Sequence, residues 1–499
     1  MAYWKLNSGG ADYSVPAFRG LLQYGDDLNA APIYATDVRN VTTTGGVLQP
    51  AAEPQLLPWK RDEPVKTMAA LYRRWPTSGE KVLLYQASGG KIYQIEPESG
   101  DTYVLPLPDD IERFQSDEWS WVAYEINPGT NMDDDPIDVL LMSNPYDGMI
   151  MINPNLLSIE TVPTPKKYGV IERHAERIWG GAILDDPDML QYSRPFDPFD
   201  WTGPGEDEPP EDGAGDIQQP SWDGDSFTAL KTFGSQLIAF KKNRVWRILG
   251  TDPGEYAFKE QFGGGAPYAN TVVVDVERIF AITDFGPVVY DGMSIAPYQQ
   301  DATKAVFDRV TRSAMAQSCA CKWRDSYYVS LPLDGSEINN AVLVFNTVDG
   351  TWLLRDDLHV EAWLPTDDAL YFTSSTTPGR MWAYVVDSWK SGVPTSQGST
   401  WVSPWCDLSY KRYTKGGFTA YMTLEQLDRP VTLEMTVQTE RGEKTKQIVP
   451  KIRNGEAQQI TARFNLKGRR FRWKLSAPIN TPCWRIKGGI LIVADTAAD

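Results

Sequence analysis

Catalysis and metal binding need particular side chains at particular spacings, and this chain offers few of them. Histidine occurs twice, at His174 and His359, so metal sites built on several imidazoles, and most imidazole-based acid–base machinery, are out of reach. His174 follows Glu172 and Arg173 ahead of an apolar run; a surface or hydrogen-bonding role is expected of it, and the same of His359. Carboxylates are plentiful, and hydrolysing a glycosidic bond takes two or three that converge on one pocket. The run Asp133, Asp134 and Asp135 beside Pro136 reads as a turn. As a calcium loop it would need further oxygen ligands, which the spacing does not identify.

Other motifs break off before they become sites. The sialidase-type repeat Ser-x-Asp-x-Gly-x-Thr-Trp starts at Ser221 and Asp223 but has Asp225 where glycine belongs, and Asp349-Gly350-Thr351-Trp352 matches only its end. Gly263-Gly264-Gly265 leads into Ala266-Pro267, which suits a turn between blades and not a phosphate-binding loop opening a helix. Cys319 and Cys321 share one face of an expected strand as buried thiols. Cys406 and Cys483 fall in one C-terminal unit, and the sequence leaves open whether they pair. No catalytic, cofactor-binding or metal-binding residue is nominated, and no cofactor is expected.

The elements around these residues are strands. The chain has 499 residues, too many for one core, and its 18 Trp, 23 Tyr, 40 Gly and 36 Pro favour pleated strands and tight turns over helices. From about residue 66, short apolar runs recur at intervals of roughly 35 to 55 residues, the spacing of propeller blades. Val82–Tyr85 and Ile92–Ile95 flank the turn Gly89-Gly90, and Val139–Met142 and Met149–Ile152 flank a turn through Asn144, Pro145, Asp147 and Gly148. Arg177–Gly180 and Met189–Ser193 follow, ending in the Pro-and-aromatic turn Pro195–Trp201. Ala229–Phe233, Leu237–Phe240, Val245–Leu249 and Tyr256–Gln261 make one complete four-stranded blade. Seven such units can be marked, so six to eight blades are expected, with seven the best count. Trp246, Trp352 and Trp382 are assigned to blade cores.

The flanks read differently. Residues 1–65 are turn-rich and weakly periodic, which predicts an extended arm docked on its own domain or a neighbour. The propeller is expected over 66–395. Residues 396–499, with strand patterns at Phe418–Leu424, Val431–Thr439, Gln458–Phe464, Arg469–Leu475 and Trp484–Val493, predict a β-sandwich. The fold class is therefore all-β. The segment Pro204–Gly215, all acid, Pro and Gly apart from Ala214, reads as a solvated loop, with contact to a partner subunit as the functional alternative.

The net charge of −18 argues against a protein that grips nucleic acid through clustered cations. It suits a conduit through which DNA slides, and equally a large soluble surface. No run approaches the roughly 20 apolar residues of a membrane span, and the start MAYWKLNSGG lacks a signal-peptide pattern, so a soluble chain made in the cytoplasm, with no membrane segment, is expected.

Three stretches together resemble the propeller-containing nozzle or hub proteins of bacteriophage tails. They are the arm from Gly20 to Pro54, with ATDVRNV and GGVLQP; the run from Arg177 to Gly292, with RIWGG, LQYSRPFDPFDW and RIFAITDFGPVVYDG; and the close, with WVSPWCDLSYKRYTKGGFTAYM, LKGRRFRWKLS and WRIKGGILIV. The acidic insertion at Pro204–Gly215 departs from that pattern. The resemblance implies a non-enzymatic virion component arranged as a homo-oligomeric, commonly hexameric ring. Such a ring joins the tail adaptor to the tip and fibres, and double-stranded DNA passes it during genome ejection without specific binding. Neutralising Glu206, Asp207, Glu208, Glu211 and Asp212 while measuring ejection would test whether that loop lines the lumen. The alternatives are a receptor-binding or decoration propeller on the virion and a propeller glycoside hydrolase.

Overall fold

A computed structural model describes residues 4–7, 10–21, 30–73, 82–126, 136–218, 224–384, 397–407, 412–426, 429–450 and 457–498. Seven four-stranded antiparallel sheets follow one another along the chain. Blade 1 spans 67–104, blade 2 120–162, blade 3 170–218, blade 4 227–260, blade 5 273–297 and blade 6 319–355. Blade 7 takes three strands from 360–384 and its outermost from Pro54–Lys60. This is a seven-bladed β-propeller, closed by an N-terminal strand.

The blades repeat because a four-stranded sheet with two apolar faces is stable only between neighbours. Each seam has its own packing: Leu83, Tyr85 and Ile92 of blade 1 meet Leu140, Met142 and Ile150 of blade 2, and Trp179 and Tyr192 of blade 3 meet Leu237 and Trp246 of blade 4. The ring closes where Met68 and Leu84 of blade 1 pack on Leu364 and Met381 of blade 7. Polar contacts finish that seam. Lys66 Nζ lies 2.6 Å from Glu361 Oε1, Thr373 Oγ1 donates to the Val65 carbonyl at 3.2 Å, and Arg61 N donates to the Gly379 carbonyl at 2.8 Å. Among the described residues the one α-helix, Gln300–Phe307, joins blade 5 to blade 6.

The segment read as an arm supplies strands to the rest of the molecule. Besides closing blade 7, it contributes Asp37–Arg39, which pairs in parallel with the outermost strand of blade 6, Thr351–Arg355, and antiparallel with Ser399–Val402. That strand makes blade 6 and one sheet of the C-terminal sandwich a continuous ten-stranded sheet, which runs on through Arg470–Ala477 and Leu433–Thr439 to the edge strand Gly442–Ile448. The facing sheet takes Gly10–Val15 from the arm beside Trp484–Ala498, Arg412–Gln426 and Gln458–Phe464. Alternate residues fill the space between the sheets, with Phe418, Met422 and Ile492 against Met435, Val437 and Trp473, all buried. Phe18 meets Trp401 edge-on at 5.3 Å, and Trp401 stacks on Trp473 at 4.7 Å. One buried core thus runs from blades 5 to 7 into the sandwich.

Candidate interaction surfaces

In an antiparallel blade, the loops joining strands one to two and three to four emerge at one end of the sheet. Repeated around a ring, they form one face of the disc. The described loops of that face are 96–101, 154–157, 175–176, 193–214, 234–235, 250–256, 275–278, 291–294, 324–325, 347–350 and 366–369. Together with Arg73, the described residue of the loop between the first two strands of blade 1, they carry 20 Asp and Glu against four cations, Arg73, Arg194, Arg278 and Arg324, a net of −16.

The acidic insertion is the largest of these loops, and it is anchored. It lies between strands three and four of blade 3, toward the rim. Arg177, 1% exposed, donates from Nη1 to the carbonyls of Ser193 at 2.8 Å and Gly213 at 2.7 Å, and from Nη2 to that of Glu211. Arg194 pairs with Glu208 at 2.7 Å and with Asp200 at 3.2 Å. The Arg194 guanidinium and the Gly205 N–H hold the Glu208 carboxyl below its ordinary pKa. The expectation of a solvated loop fits its side chains, since residues 202–212 are exposed, but its backbone is fixed from beneath. Beside it Phe196, at φ +61°, is 74% exposed.

Those residues singled out in the sequence that are described are spread over the blades and the sandwich and are not gathered into a site. His174 ends a strand with 6% exposure, 3.4 Å from Thr232 Oγ1, and burial lowers its pKa. The hydrogen-bonding role fits this position and the surface role does not. His359 lies 3.3 Å from Thr376 Oγ1. Cys319 and Cys321 are buried on one strand, and burial pushes the Cys319 thiol up to about 12. Cys406 and Cys483 are buried and are not joined in a disulfide. Asp133, Asp134, Asp135, Ser221 and Asp223 lie outside the described residues, while Asp225 accepts a hydrogen bond from Asn243 at 2.7 Å. Gly263-Gly264-Gly265 runs between blades 4 and 5; Gly263 has φ +117°, and a Cβ there would sit 2.0 Å from the Ile295 carbonyl. Trp246 and Trp352 are fully buried, and Trp382 is partly buried and stacks on Phe372.

Between blades 6 and 7, beneath the hairpin 41–50, a cavity of about 350 Å³ is lined by Trp323, Arg324, Tyr328, Asn346, Arg355 and Tyr384 among others. Of its two cations, Arg355 is already committed. Arg355 grips Asp357 through two bonds of 2.6 Å, donates to Tyr384 Oη at 2.6 Å and to the Ala52 carbonyl at 3.0 Å. The guanidinium thereby fastens arm, blade 6 and blade 7 together.

What sequence reasoning missed is how the charge is distributed. Residues 401–499 hold 17 Lys and Arg against 9 Asp and Glu, a net of +8, whereas residues 1–400 hold 31 against 57, a net of −26. The signal was available in the sequence, and the whole-chain sum of −18 hides it.

No family model matches the chain, and no curated protein matches it. Among solved structures it is similar to a chain of the crystal structure of the mitotic checkpoint complex, with a TM-score of 0.36 and 10% identity over 61% of this chain and 86% of that one. It is also similar to BamB from Moraxella catarrhalis, with a TM-score of 0.35 and 8% identity over 73% and 98%. The propeller assignment rests on the strand order. No helix among the described residues is long and apolar enough to cross a membrane.

Proposed function

We propose that this chain is a structural, non-catalytic component of a bacteriophage tail, at the nozzle or hub. It is made in the host cytoplasm and built into the virion as a homo-oligomeric ring, commonly sixfold. The ring connects the tail adaptor to the tip and fibres and bounds the path of the ejected DNA. The observation that carries the reading is that both chain ends are woven into the body. The arm closes the propeller, splices blade 6 to the sandwich and edges the sandwich's second sheet. A plate built this way transmits force without a hinge between modules, which a conduit component needs. The described loops of the acidic face, at −16, support the same reading, because a wall of like charge keeps DNA mobile.

A second reading, a receptor-binding or decoration propeller, is favoured by Phe196 and Tyr146, which expose 74% and 50% of their surface on loops. Electron microscopy of particles labelled with an antibody against this chain separates the two. Label on the tail axis or tip is the expected result. Label on peripheral fibres would move the chain to receptor binding, and particles without label would overturn the virion reading and bring the propeller hydrolase forward.

A further inference from the structure

The positive charge of the C-terminal unit is concentrated where the molecule ends. The ten-stranded sheet continues five strands beyond the outermost strand of blade 6, which at about 4.8 Å per strand places its last strand roughly 24 Å outside the rim. That strand, Gly442–Ile448, is exposed at every residue except Ile448. It carries Lys444 and Lys446, the turn before it carries Arg441, and the neighbouring turn carries Lys467, Arg469 and Arg470, all exposed. The two turns are joined, since the Thr439 hydroxyl donates to the Lys467 carbonyl at 3.2 Å and the Glu440 carboxylate accepts from the N–H groups of Arg469 and Arg470 at 2.6 and 3.0 Å. The turns that carry Arg441, Lys467, Arg469 and Arg470 are therefore held side by side next to the edge strand, whose own exposed carboxylate is Glu443, and Arg470 also pairs with Asp407 at 3.6 Å.

This edge does not suit strand addition. Lys444 and Lys446 stand opposite Val437 and Met435, whose side chains are buried, so both lysines sit on the core side of the strand. The Lys446 ammonium lies 6.0 Å from the Phe464 ring. Inward-facing lysines block edge-to-edge pairing. What the edge offers is charge, held well over a Debye length of about 8 Å from the disc of its own chain. One molecule thus has a basic end and an acidic face that do not neutralise each other.

We propose that the basic edge of the sandwich docks on the acidic face of the propeller of a second copy, against the blade 3 insertion that presents Glu206, Asp207, Glu211 and Asp212. Opposite charges on different surfaces of one chain give a head-to-tail contact, which closes into a ring when the rotation between copies divides a full turn. The contact rests on the ring reading above and specifies its interface. A second copy fits better than DNA phosphate, because every added copy brings one basic edge and one acidic face, so the contact repeats around a ring, whereas a phosphate backbone would meet the edge alone.

The test uses the full-length chain in analytical ultracentrifugation at 50 and 500 mM salt. Wild type is expected to self-associate, and less so at high salt. A variant carrying Lys444→Glu, Lys446→Glu and Arg469→Glu is expected to associate at least about tenfold more weakly at low salt. So is one carrying Glu206→Lys, Asp207→Lys and Glu211→Lys. Circular dichroism shows that each is folded, and mixing the two variants is expected to restore association. Wild type that stays monomeric at low salt, variants that associate like wild type, or an edge that retains duplex DNA without self-association would each overturn the proposal. Antibody label on the tail with unaffected variants removes this interface and leaves the tail reading standing. Restored association with no label on particles does the reverse.

Discussion

His174 stands at the end of the first strand of blade 3, and its buried imidazole resists protonation in the folded chain, whereas the unfolded chain takes a proton at the ordinary value of 6.5. The unfolded state therefore binds more protons as the pH falls, so this residue withdraws stability from about pH 6.5 downward and none above it. The loss of urea-unfolding free energy between pH 7.5 and pH 5 is expected to be smaller in His174→Gln than in wild type; equal losses would show that the imidazole contributes nothing. Arg177 acts on a larger group of atoms. Its guanidinium satisfies the carbonyls of Ser193, Glu211 and Gly213 from inside blade 3, and buried carbonyls left without a donor are costly. Arg177→Ala is expected to lose about 3 kcal/mol and to raise hydrogen exchange selectively over 193–214. Exchange that rises evenly across all blades would instead mean that Arg177 supports the fold and does not specifically position the acidic loop.

At the scale of elements, the propeller depends on its closing strand. Gly379 lies at φ +74°, and a Cβ there would meet the Arg61 carbonyl at 2.2 Å, just where Arg61 N donates to the Gly379 carbonyl. Gly379→Ala is expected to cost about 1–3 kcal/mol and to open Pro54–Lys60 to protease before any other strand; cleavage elsewhere first would remove the seam from its assigned role. The same strand shows where the sequence was legible. The second and third strands of blades 1 and 2 meet at the tight turns Gly89-Gly90 and Asp147-Gly148, where positive φ at the glycines is written into the residue types, and the seven marked units correspond to the seven blades. First strands such as Thr67–Tyr72 and Ser120–Ile126 were harder to see, because 9 and 10 residues separate them from their partners in sequence and small residues such as Ala69, Ala70 and Ala123 weaken the pattern. Gly10–Val15, Asp37–Arg39 and Pro54–Lys60 were illegible as strands for a different reason. Their partners lie hundreds of residues away, and Pro and Gly around them give the local signature of an arm. The interaction surfaces were half legible: the acidic insertion is plain from composition, whereas the basic edge becomes a surface only when pairing brings 441–446 beside 467–470.

For the whole molecule, the two ends of the chain depend on each other. Gly10 pairs with Asp495 and Val15 with Ile490, while the same C-terminal strand, Trp484–Ala498, also pairs along Arg412–Gln426. Contacts this far apart in sequence carry a loop-closure cost that must be met before they return any stability, so the sandwich can be completed only after the last residues are made. The blades are different, since each is built from neighbouring segments and only blade 7 waits for the arm. A chain ended at Thr481 tests this. Without the strand from Trp484, Gly10–Val15 loses its partner, Phe418 and Met422 lose the sheet neighbour beside them, and the shared core with Trp401 and Trp473 opens on one side. Blades 1 to 4 have packing of their own at every seam between them. Thermal unfolding followed by tryptophan fluorescence is therefore expected to split into an early transition of the sandwich with blade 6 and a later one of the remaining blades, with protease cutting first within 10–15. One transition at the wild-type temperature would mean that the sandwich does not need both chain ends, and would remove the ground for treating disc and sandwich as a single plate.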